Sequence, residues 1–471
     1  VAANGVGISM DGDGYYLGGT TAATRNVVSG NLSHGIEIGA NGTDNRVWGS
    51  YIGTDAAGVL ARPNGGAGIQ IVGSSNIVGD VTGNKRNLVS GNATAGLRIY
   101  GDANQVIGNF VGVNAAGTQA IGNGVEGIQV GGSNNVIGGS SAGHRNVIAG
   151  NGGAGVRLDG TANQVLGNYI GLAADGMTPL GNADGVLLYG NGNVIGASGG
   201  GGNVISANTG KGIYARFLDG LTVKANRIGT SLDGGIKRGN GQEGIHLGSV
   251  VNATIGGDTA AEGNVISGNL GGIYASGASG AIKSNLIGLA ADGSATIGNT
   301  GNGIIVYDSV LDIGTMAAGN TISGNGQAGV LANSGTISIR GNRIGTNASG
   351  TEARPNLAGI GIGGATVLVA NNLISGNVQT GIAINSVLAD AEITDNRIGT
   401  DAAGNAAIGN EGSGIRVVRA APGLVIGVPG HGNQISGNYR GITLDDTTAS
   451  IFVQGNTIGL NAARNAKLGN I

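Results

Sequence analysis

The sequence predicts an all-β fold in which short strands coil into a parallel β-helix, and three observations support this prediction. The chain contains 102 glycines but only 5 prolines among 471 residues. Three short motifs recur along nearly its whole length at a fixed spacing. An asparagine column accompanies the motifs. Together these features indicate a single solenoid of about 16 coils.

The glycine content excludes several fold classes. A glycine inside a helix or strand costs about 0.5 to 1 kcal/mol relative to alanine, so 102 glycines must occupy defined turns. Without a Gly-X-Y period and with so little proline, the chain is not collagen. With 3 Phe and 1 Trp, we expect a narrow core of Ile, Val, Leu and Ala.

Two motifs recur eight times each and keep one phase. The first is Asn-x-(Val/Ile)-(Ser/Ala)-(Gly/Ala)-Asn, which starts at Asn26, Asn87, Asn146, Asn203, Asn264, Asn320, Asn372 and Asn433. The second is x-(Ile/Val)-Gly, centred on Ile52, Val111, Ile170, Ile228, Ile287, Ile344, Ile398 and Ile458. The resulting period is 54 to 60 residues. This period is typical of a repeat architecture rather than of several globular domains.

A third motif, Gly-(Ile/Val/Leu)-x-apolar, occurs sixteen times, so each long repeat contains two smaller units. In each unit this motif is followed by two further short apolar segments bounded by Gly and Asn, which are strand signals. Three strands bury their Ile and Val side chains only if each strand pairs in parallel with its counterpart one coil on. At about 4.8 Å per coil, sixteen coils would form a rod on the order of 75 Å long.

Asparagine begins the third strand in fifteen of sixteen coils, and serine begins it in the other. A stacked column explains this pattern, because an inward amide can donate to one neighbouring coil and accept from the other. The column contains Asn26, Ser50, Asn87, Asn109, Asn146, Asn168, Asn203, Asn226, Asn264, Asn285, Asn320, Asn342, Asn372, Asn396, Asn433 and Asn456.

Alternate coils carry an extra turn, first seen at Thr54-Asp55-Ala56-Ala57-Gly58. Stacking should align the copies as a ridge. Asp or Asn at the first position and Gly at the fourth is type I turn chemistry. Asn or Ala replaces Asp in several copies and removes the charge that calcium needs, so we predict no metal site here.

The repeat resembles that of right-handed parallel β-helix repeat proteins, which share the pectate-lyase-like solenoid architecture. The matching unit is Asn-x-Ile-x-x-Asn-x-x-x-Gly-Ile-x-Ile, seen at residues 26–38. The longer form, with Ile52-Gly53-Thr54-Asp55-Ala56-Ala57-Gly58, is similar to arrays in large secreted or surface-attached bacterial proteins. The resemblance implies a right-handed helix. It leaves the activity open, because this fold hosts lyases, hydrolases, epimerases, tailspikes and adhesins.

A catalytic site of the polysaccharide-cleaving kind would need clustered carboxylates and bases on one strand face. The outward positions of the Gly-Ile-x-Ile strands provide no carboxylate pair, and we predict no catalytic residue. They do place five of the ten tyrosines on one face. Tyrosine and arginine side chains can stack on sugars and bind carboxylates, although tyrosine is also simply a good strand residue. The glycan-binding candidates are Arg157, Asp159, Tyr189, Tyr214, Arg216, His246 and Tyr274.

The remaining expectations concern partners and location. A net charge of −3 and the lack of a basic stripe predict no nucleic-acid partner, and no apolar run is long enough for membrane insertion. We predict no cofactor. We expect residues 1–471 to form one continuous β-helix that is a segment of a longer array or a filament subunit stacked end to end. The predicted function is a non-catalytic, extracellular structural or adhesive role at the cell surface. The alternative is a carbohydrate-binding or carbohydrate-active β-helix.

Overall fold

The computed structural model describes residues 4–386, 391–419, 423–445 and 450–471. It divides into two compact units, one made of Val1–Leu232 with Arg238–Gln242 and the other of Asp233–Lys237 with Glu243–Ile471. Each unit contains eight coils of three strands, and the strands form three parallel sheets. The predicted fold class, an all-β right-handed parallel β-helix of about 16 coils, is confirmed.

In the first unit, each strand pairs with its counterpart one coil on, for example Leu97 with Ile128 and Arg98 with Gln129. The first sheet contains β1 Ile8–Met10, β4 Ile36–Ile38, β7 Ile69–Ile71, β10 Leu97–Ile99, β13 Ile128–Val130, β16 Val156–Leu158, β19 Val186–Leu188 and β22 Ile213–Asp219. The second contains β2 Tyr16–Leu17, β5 Arg46–Val47, β8 Ile77–Gly79, β11 Gln105–Ile107, β14 Val136–Gly138, β17 Gln164–Leu166, β20 Val194–Ile195 and β23 Thr222–Val223. The third contains β3 Val27–Val28, β6 Tyr51–Ile52, β9 Leu88–Val89, β12 Phe110–Val111, β15 Val147–Ile148, β18 Tyr169–Ile170, β21 Val204–Ile205 and β24 Arg227–Ile228.

The second unit repeats this arrangement with longer strands in its first two sheets. Its first sheet contains β25 Glu243–Val251, β28 Gly271–Ser276, β31 Ile304–Tyr307, β34 Ala328–Ala332, β37 Ala358–Ile362, β40 Ile382–Ile384, β43 Ser413–Val417 and β46 Arg440–Leu444. Its second contains β26 Ala253–Gly256, β29 Ser279–Lys283, β32 Ser309–Ile313, β35 Gly335–Arg340, β38 Thr366–Ala370, β41 Glu392–Thr394, β44 Val425–Ile426 and β47 Phe452–Val453. Its third contains β27 Val265–Ile266, β30 Leu286–Ile287, β33 Thr321–Ile322, β36 Arg343–Ile344, β39 Leu373–Ile374, β42 Arg397–Ile398, β45 Gln434–Ile435 and β48 Thr457–Ile458.

The helical structure in the described part of the chain is limited to 3₁₀ turns in the loops before third-sheet strands. These turns are Ala22–Thr24, Gly83–Lys85, Ala142–His144 and Ala260–Glu262. Within the same described residues, no helix is long and apolar enough to cross a membrane.

The core is aliphatic, as predicted. In most strands of the first sheet, the two apolar positions of the Gly-Ile-x-Ile motif face inward, and Ile36, Ile38, Ile69 and Ile71 are fully buried. The residue between them faces outward because successive side chains of a strand alternate between its two faces. Surface chemistry is therefore set by the x position of the motif.

Two glycine positions show why the motifs need glycine. A Cβ on Gly96, at the start of a first-sheet strand, would lie 2.7 Å from the Gly127 carbonyl oxygen of the next coil. Gly112 ends a third-sheet strand with φ +84°, and a Cβ there would lie 2.2 Å from the Ala149 oxygen. The first position excludes a side chain by close approach of two backbones, and the second also by a left-handed conformation.

The predicted asparagine ladder at the start of the third strands is present in both units. The Asn87 side-chain amide donates to Asn109 Oδ1 at 2.9 Å and to the Val47 carbonyl at 2.8 Å. Ser50, the one exception in the column, keeps the pattern through its backbone, since its N–H donates to Asn87 Oδ1 at 3.0 Å.

Two further ladders were not predicted. One follows the third strands of both units and includes Asn92, whose amide donates to Asn123 Oδ1 at 2.9 Å. The other opens the second-sheet strands of the first unit, where Asn76 donates to Asn104 Oδ1 at 3.1 Å. Its members are Asn45, Asn76, Asn104, Asn135, Asn163 and Asn193, all fully buried.

The predicted loop ridge is confirmed within each unit. The turns after alternate third-sheet strands bond directly to one another, as when Ala115 N donates to Gly58 O at 2.9 Å and Ala174 N to Gly117 O at 2.9 Å. In the second unit, Ala402 N donates to Gly350 O at the same distance, 2.9 Å. Each bond joins loops that are two coils apart, so it spans the intervening coil, which lacks this loop.

Candidate functional site

The outward face of the first sheet carries the predicted candidates. In the first unit, strand register places Arg98 beside Gln129, Gln129 beside Arg157, and Arg157 beside Leu187. These residues hold the x position of consecutive Gly-Ile-x-Ile strands. Strand pairing therefore lines up their side chains at the inter-strand spacing of about 4.8 Å.

A polar cluster occupies this face, and we call it the Arg157 network: Arg98, Glu126, Gln129, Arg157 and Asp159. Arg98 Nε donates to Gln129 Oε1 at 3.2 Å, and Gln129 Nε2 donates to Asp159 Oδ2 at 3.1 Å. Arg157 Nε donates to Asp159 Oδ1 at 2.9 Å, while its Nη1 lies 3.4 Å from Glu126 Oε1. The guanidinium of Arg157 thus links both carboxylates.

The electrostatics of the network hold Arg157 in its charged form. Partial burial lowers the pKa of Arg157, but the hydrogen bond and charge of Asp159, followed by Glu126, outweigh burial and leave this pKa above its ordinary value. Both carboxylates are already engaged with the guanidinium. The cluster is consequently suited to presenting hydrogen-bonding groups rather than to accepting a proton from a substrate.

Tyr189, directly after the next strand β19, extends the network. The Arg157 guanidinium lies 5.4 Å from the centre of the Tyr189 ring, and Tyr189 is 37% exposed. An arginine beside an exposed tyrosine ring offers a charged group and an apolar face to the same ligand. Of the seven candidates, Arg157, Asp159 and Tyr189 therefore form one contiguous group.

Tyr214 and Arg216 form a second pair on β22. Arg216 Nη1 donates to the Tyr214 hydroxyl at 3.2 Å, and Lys211 Nζ lies 4.6 Å from the Tyr214 ring centre. Lys211 also donates to Gln242 Oε1 at 2.6 Å. This end of the face is more basic than the sequence suggested.

The last two candidates lie in the second unit. The His246 and Tyr274 rings stack with centroids 4.6 Å apart and planes 25° from parallel, and Tyr307 continues the stack at 5.8 Å from Tyr274. His246 Nδ1 lies 3.4 Å from Glu243 Oε2. The His246 side chain is 22% exposed, since Tyr274 and Glu243 cover part of it.

Sequence reasoning missed Glu126, Lys211 and Glu243. Each residue immediately precedes the glycine of a Gly-Ile-x-Ile motif. Period-2 alternation, extended upstream through that glycine, would have placed these residues on the inward face, together with the apolar residue that follows the glycine. Alternation alone therefore could not have found them.

The aspartates of the alternate-coil turns accept hydrogen bonds from backbone N–H groups of their own loops. Asp55 Oδ1 accepts from the backbone N–H of Val59 at 2.9 Å and of Leu60 at 3.2 Å. These bonds lower the pKa of Asp55. Across the residues that the structure describes, no group of three or more His, Asp or Glu side chains is arranged to hold a metal ion.

The comparisons with known proteins concern the fold. Residues 292–458 match the family model described as a right-handed beta helix region. The chain is similar in structure to the A-module of the Azotobacter vinelandii mannuronan C-5 epimerase AlgE6, at 13% identity and a TM-score of 0.34, covering 90% of each chain. A similarity at this level carries no information about activity. No curated protein matches the sequence.

Proposed function

We propose that this right-handed parallel β-helix is a non-catalytic, extracellular structural or adhesive protein that displays periodic loops. The main support for this proposal is that Arg157 forms ion pairs with both carboxylates of the cluster. Its Nη1 lies 3.4 Å from Glu126 Oε1, and its Nε lies 2.9 Å from Asp159 Oδ1. Acid/base cleavage of a polysaccharide needs a carboxylate or another base positioned to exchange a proton with substrate. On this face the carboxylates instead hold the side chain of an arginine.

A structural role also fits the interior and the loops. Buried amide ladders fix the stacking of coils, and the loop ridge adds a further row of direct backbone bonds, such as Ala115 N to Gly58 O at 2.9 Å. The extracellular location rests on the resemblance of the repeats to those of secreted bacterial surface proteins. End-to-end self-association, or contact with neighbouring repeats of a longer chain, is part of the same proposal.

Two measurements test this function. Polysaccharides with uronic acids are incubated with the protein, and unsaturated products are followed by ultraviolet absorbance. We expect no product, and turnover would overturn the proposal. Mass photometry at high dilution and the intact mass of the native protein test the proposed self-association and the longer array. A stable monomer of only this sequence would contradict both.

A second candidate function is glycan binding at the Arg157 network, favoured by the exposed Tyr189 ring 5.4 Å from the Arg157 guanidinium. Its test is a glycan array with a Tyr189→Ala and Tyr214→Ala double variant. Tyr439→Ala is the matched control because Tyr439 is 54% exposed and belongs to the other unit. Loss of a bound glycan only in the double variant supports this candidate, whereas equal binding by all proteins contradicts it.

A further inference from the structure

A polar groove runs along the outside of the third sheet of the second unit. It encloses about 490 Å³, and its floor is formed by the starts of β36, β39, β42, β45 and β48. Ala402 and Ala462 of the loop ridge line one side, and Asn371 and Gly432 line the other. This groove is separate from the first-sheet face that carries the Arg157 network.

Three arginines line the groove: Arg343, Arg397 and Arg464. Arg343 pairs in register with Leu373, and Leu373 with Arg397, so the two arginines lie two strands apart. At the usual strand spacing, this separation is about 10 Å along the direction in which coils stack. Two acidic groups of one ligand at that separation can each bind one guanidinium, and Leu373 lies between the two arginines.

The positive charge of the groove is not neutralised from within. Asp395 is the one carboxylate among the described lining residues, and its Oδ2 lies 3.0 Å from His431 Nδ1. Arg397 Nη1 donates to the Ala402 carbonyl at 2.9 Å, which uses one of the five guanidinium N–H groups and fixes the side chain. The other N–H groups are available for bidentate binding of a carboxylate or sulfate.

Most of the first unit differs from the second at this face. Arg227 begins β24 as Arg343 begins β36, but the other first-unit arginines beside these strands come from the loop before the strand and lie over aromatic rings. The Arg86 guanidinium lies 4.0 Å from the centre of the Phe110 ring, and Arg145 lies 4.2 Å from that of Tyr169. In the second unit, Arg343 and Arg397 occupy the strand position that the rings occupy in the first, so the ring is absent and the groove is open.

We propose that this groove binds a linear polysaccharide that carries an acidic group on every second sugar. Two such groups match the spacing of Arg343 and Arg397, and the hydroxyl of Thr457 and the amide of Asn371 can bond sugar hydroxyls. Single-stranded nucleic acid fits less well. Base binding relies on aromatic platforms, and the described lining contains no aromatic residue.

The test uses short fragments of hyaluronan, in which every second sugar is a uronate, and isothermal titration calorimetry on the whole protein. The variant is Arg343→Gln with Arg397→Gln, and the control is Arg340→Gln, since Arg340 is exposed and does not line the groove. We expect saturable binding that weakens with added salt and falls at least about tenfold in the double variant. The control should bind like the wild type.

Three outcomes would overturn the proposal. They are no binding of hyaluronan, equal binding of a neutral cello-oligosaccharide or of oligo-dT, and an equal loss in Arg340→Gln. Circular dichroism and a thermal melt establish that the variants are folded. The Tyr189→Ala and Tyr214→Ala variant keeps this binding if the groove is the site, which separates this proposal from glycan binding at the Arg157 network.

Discussion

The two units form the corner between their first and second sheets in different ways. In the first unit, β7 ends at Ile71, and β8 begins at Ile77 after a turn that contains the buried Asn76. In the second, β31 ends at Tyr307, Asp308 adopts φ +46°, and β32 begins at Ser309. Both corners contain a left-handed residue, Ser75 at φ +62° in the first unit and Asp308 in the second, but the first unit follows it with an amide ladder and the second with longer strands.

The difference shows that backbone groups at a corner can be satisfied by an amide ladder, or by a short hydroxyl together with longer paired strands. Asn104 Oδ1 accepts from the backbone N–H of Asn76 at 2.8 Å and from its side-chain amide at 3.1 Å. In the second unit, the Ser309 hydroxyl accepts from Ala278 N at 3.0 Å and donates to Tyr307 O at 2.7 Å. A short hydroxyl suffices there because longer strands pair more of the backbone themselves.

The largest expected effect comes from breaking the amide ladder of the first unit. Asn104→Ala leaves the Asn76 backbone N–H without its acceptor and removes the donor to Gly73 O, which lies at 3.2 Å. It also removes one of the three acceptors of the Asn76 side-chain amide. Each unsatisfied buried group costs about 1–3 kcal/mol, so we expect the free energy of unfolding to fall by about 3 kcal/mol. Urea unfolding followed by far-ultraviolet circular dichroism, which reports on the strands of both units, measures the loss.

The control for the ladder is Asn405→Ala in the second unit, where the side chain is exposed. It should change the free energy of unfolding by less than about 0.5 kcal/mol. If Asn104→Ala lowers the free energy of unfolding no more than Asn405→Ala does, the ladder does not stabilise the corner.

A smaller effect is expected at the corresponding corner of the second unit. Ser309→Ala removes one acceptor and one donor at a residue that is 1% exposed. We expect a loss of about 1–2 kcal/mol, measured by urea unfolding with far-ultraviolet circular dichroism. Ser309→Thr keeps the hydroxyl and should recover part of the loss. A cost as large as that of Asn104→Ala would show that both corners depend equally on side chains.

The third-sheet arginines allow the next comparison. Arg86 Nε donates to Gly108 O at 3.1 Å, its guanidinium covers Phe110, and burial lowers its pKa. Arg86→Gln should therefore reduce the free energy of unfolding by about 1 kcal/mol. Arg343→Gln, which removes no ring contact, should change it by less than about 0.5 kcal/mol. Equal losses in chemical unfolding would mean that the two arginine sets have the same structural role.

The smallest effect concerns pH. Burial raises the pKa of Asp175, but hydrogen bonds from Thr178 and Met177 outweigh it, and this pKa ends below 3.8. A lowered carboxyl pKa stabilises the fold above the unfolded value and loses that contribution as pH falls through the folded value. Asp175 is largely exposed, so the contribution is at most a few tenths of a kcal/mol.

In another repeat, Asn114 lies two residues earlier in the turn than Asp175 does. Its Oδ1 nevertheless accepts from Thr118 N at 2.9 Å, the counterpart of the Met177 N–H that Asp175 accepts at 2.8 Å, and it does so without a charge. Asp175→Asn should therefore keep the turn and remove only the pH dependence. Thermal melts of both proteins from pH 7 to below pH 3.8 should show a small difference at pH 7 that disappears in acid. A difference that persists in acid would assign the effect to packing instead.

The coil count, the three-strand units, the aliphatic core and the first asparagine ladder could be predicted because they depend on spacing alone. The ladder that follows the third strands could also have been predicted, since Asn92 ends a recognised motif. Its partner Asn123, however, follows a loop whose length varies between repeats. The grouping of Arg157 with both Glu126 and Asp159 could not be predicted, because it depends on which rotamer a long side chain adopts. The arginine groove could not be predicted either, because its shape depends on the depth and position of the loops around it.

The loop ridge has a consequence for how such a chain changes length in evolution. Because Ala115 N bonds to Gly58 O across a coil without this loop, the coils alternate in kind. Loss or duplication of a single coil would place a loop opposite a coil that lacks one and leave its bond unmade. Recombination that adds or removes two coils together preserves every loop pair. The heritable module of this protein is therefore the repeat of 54 to 60 residues, twice the smallest structural unit.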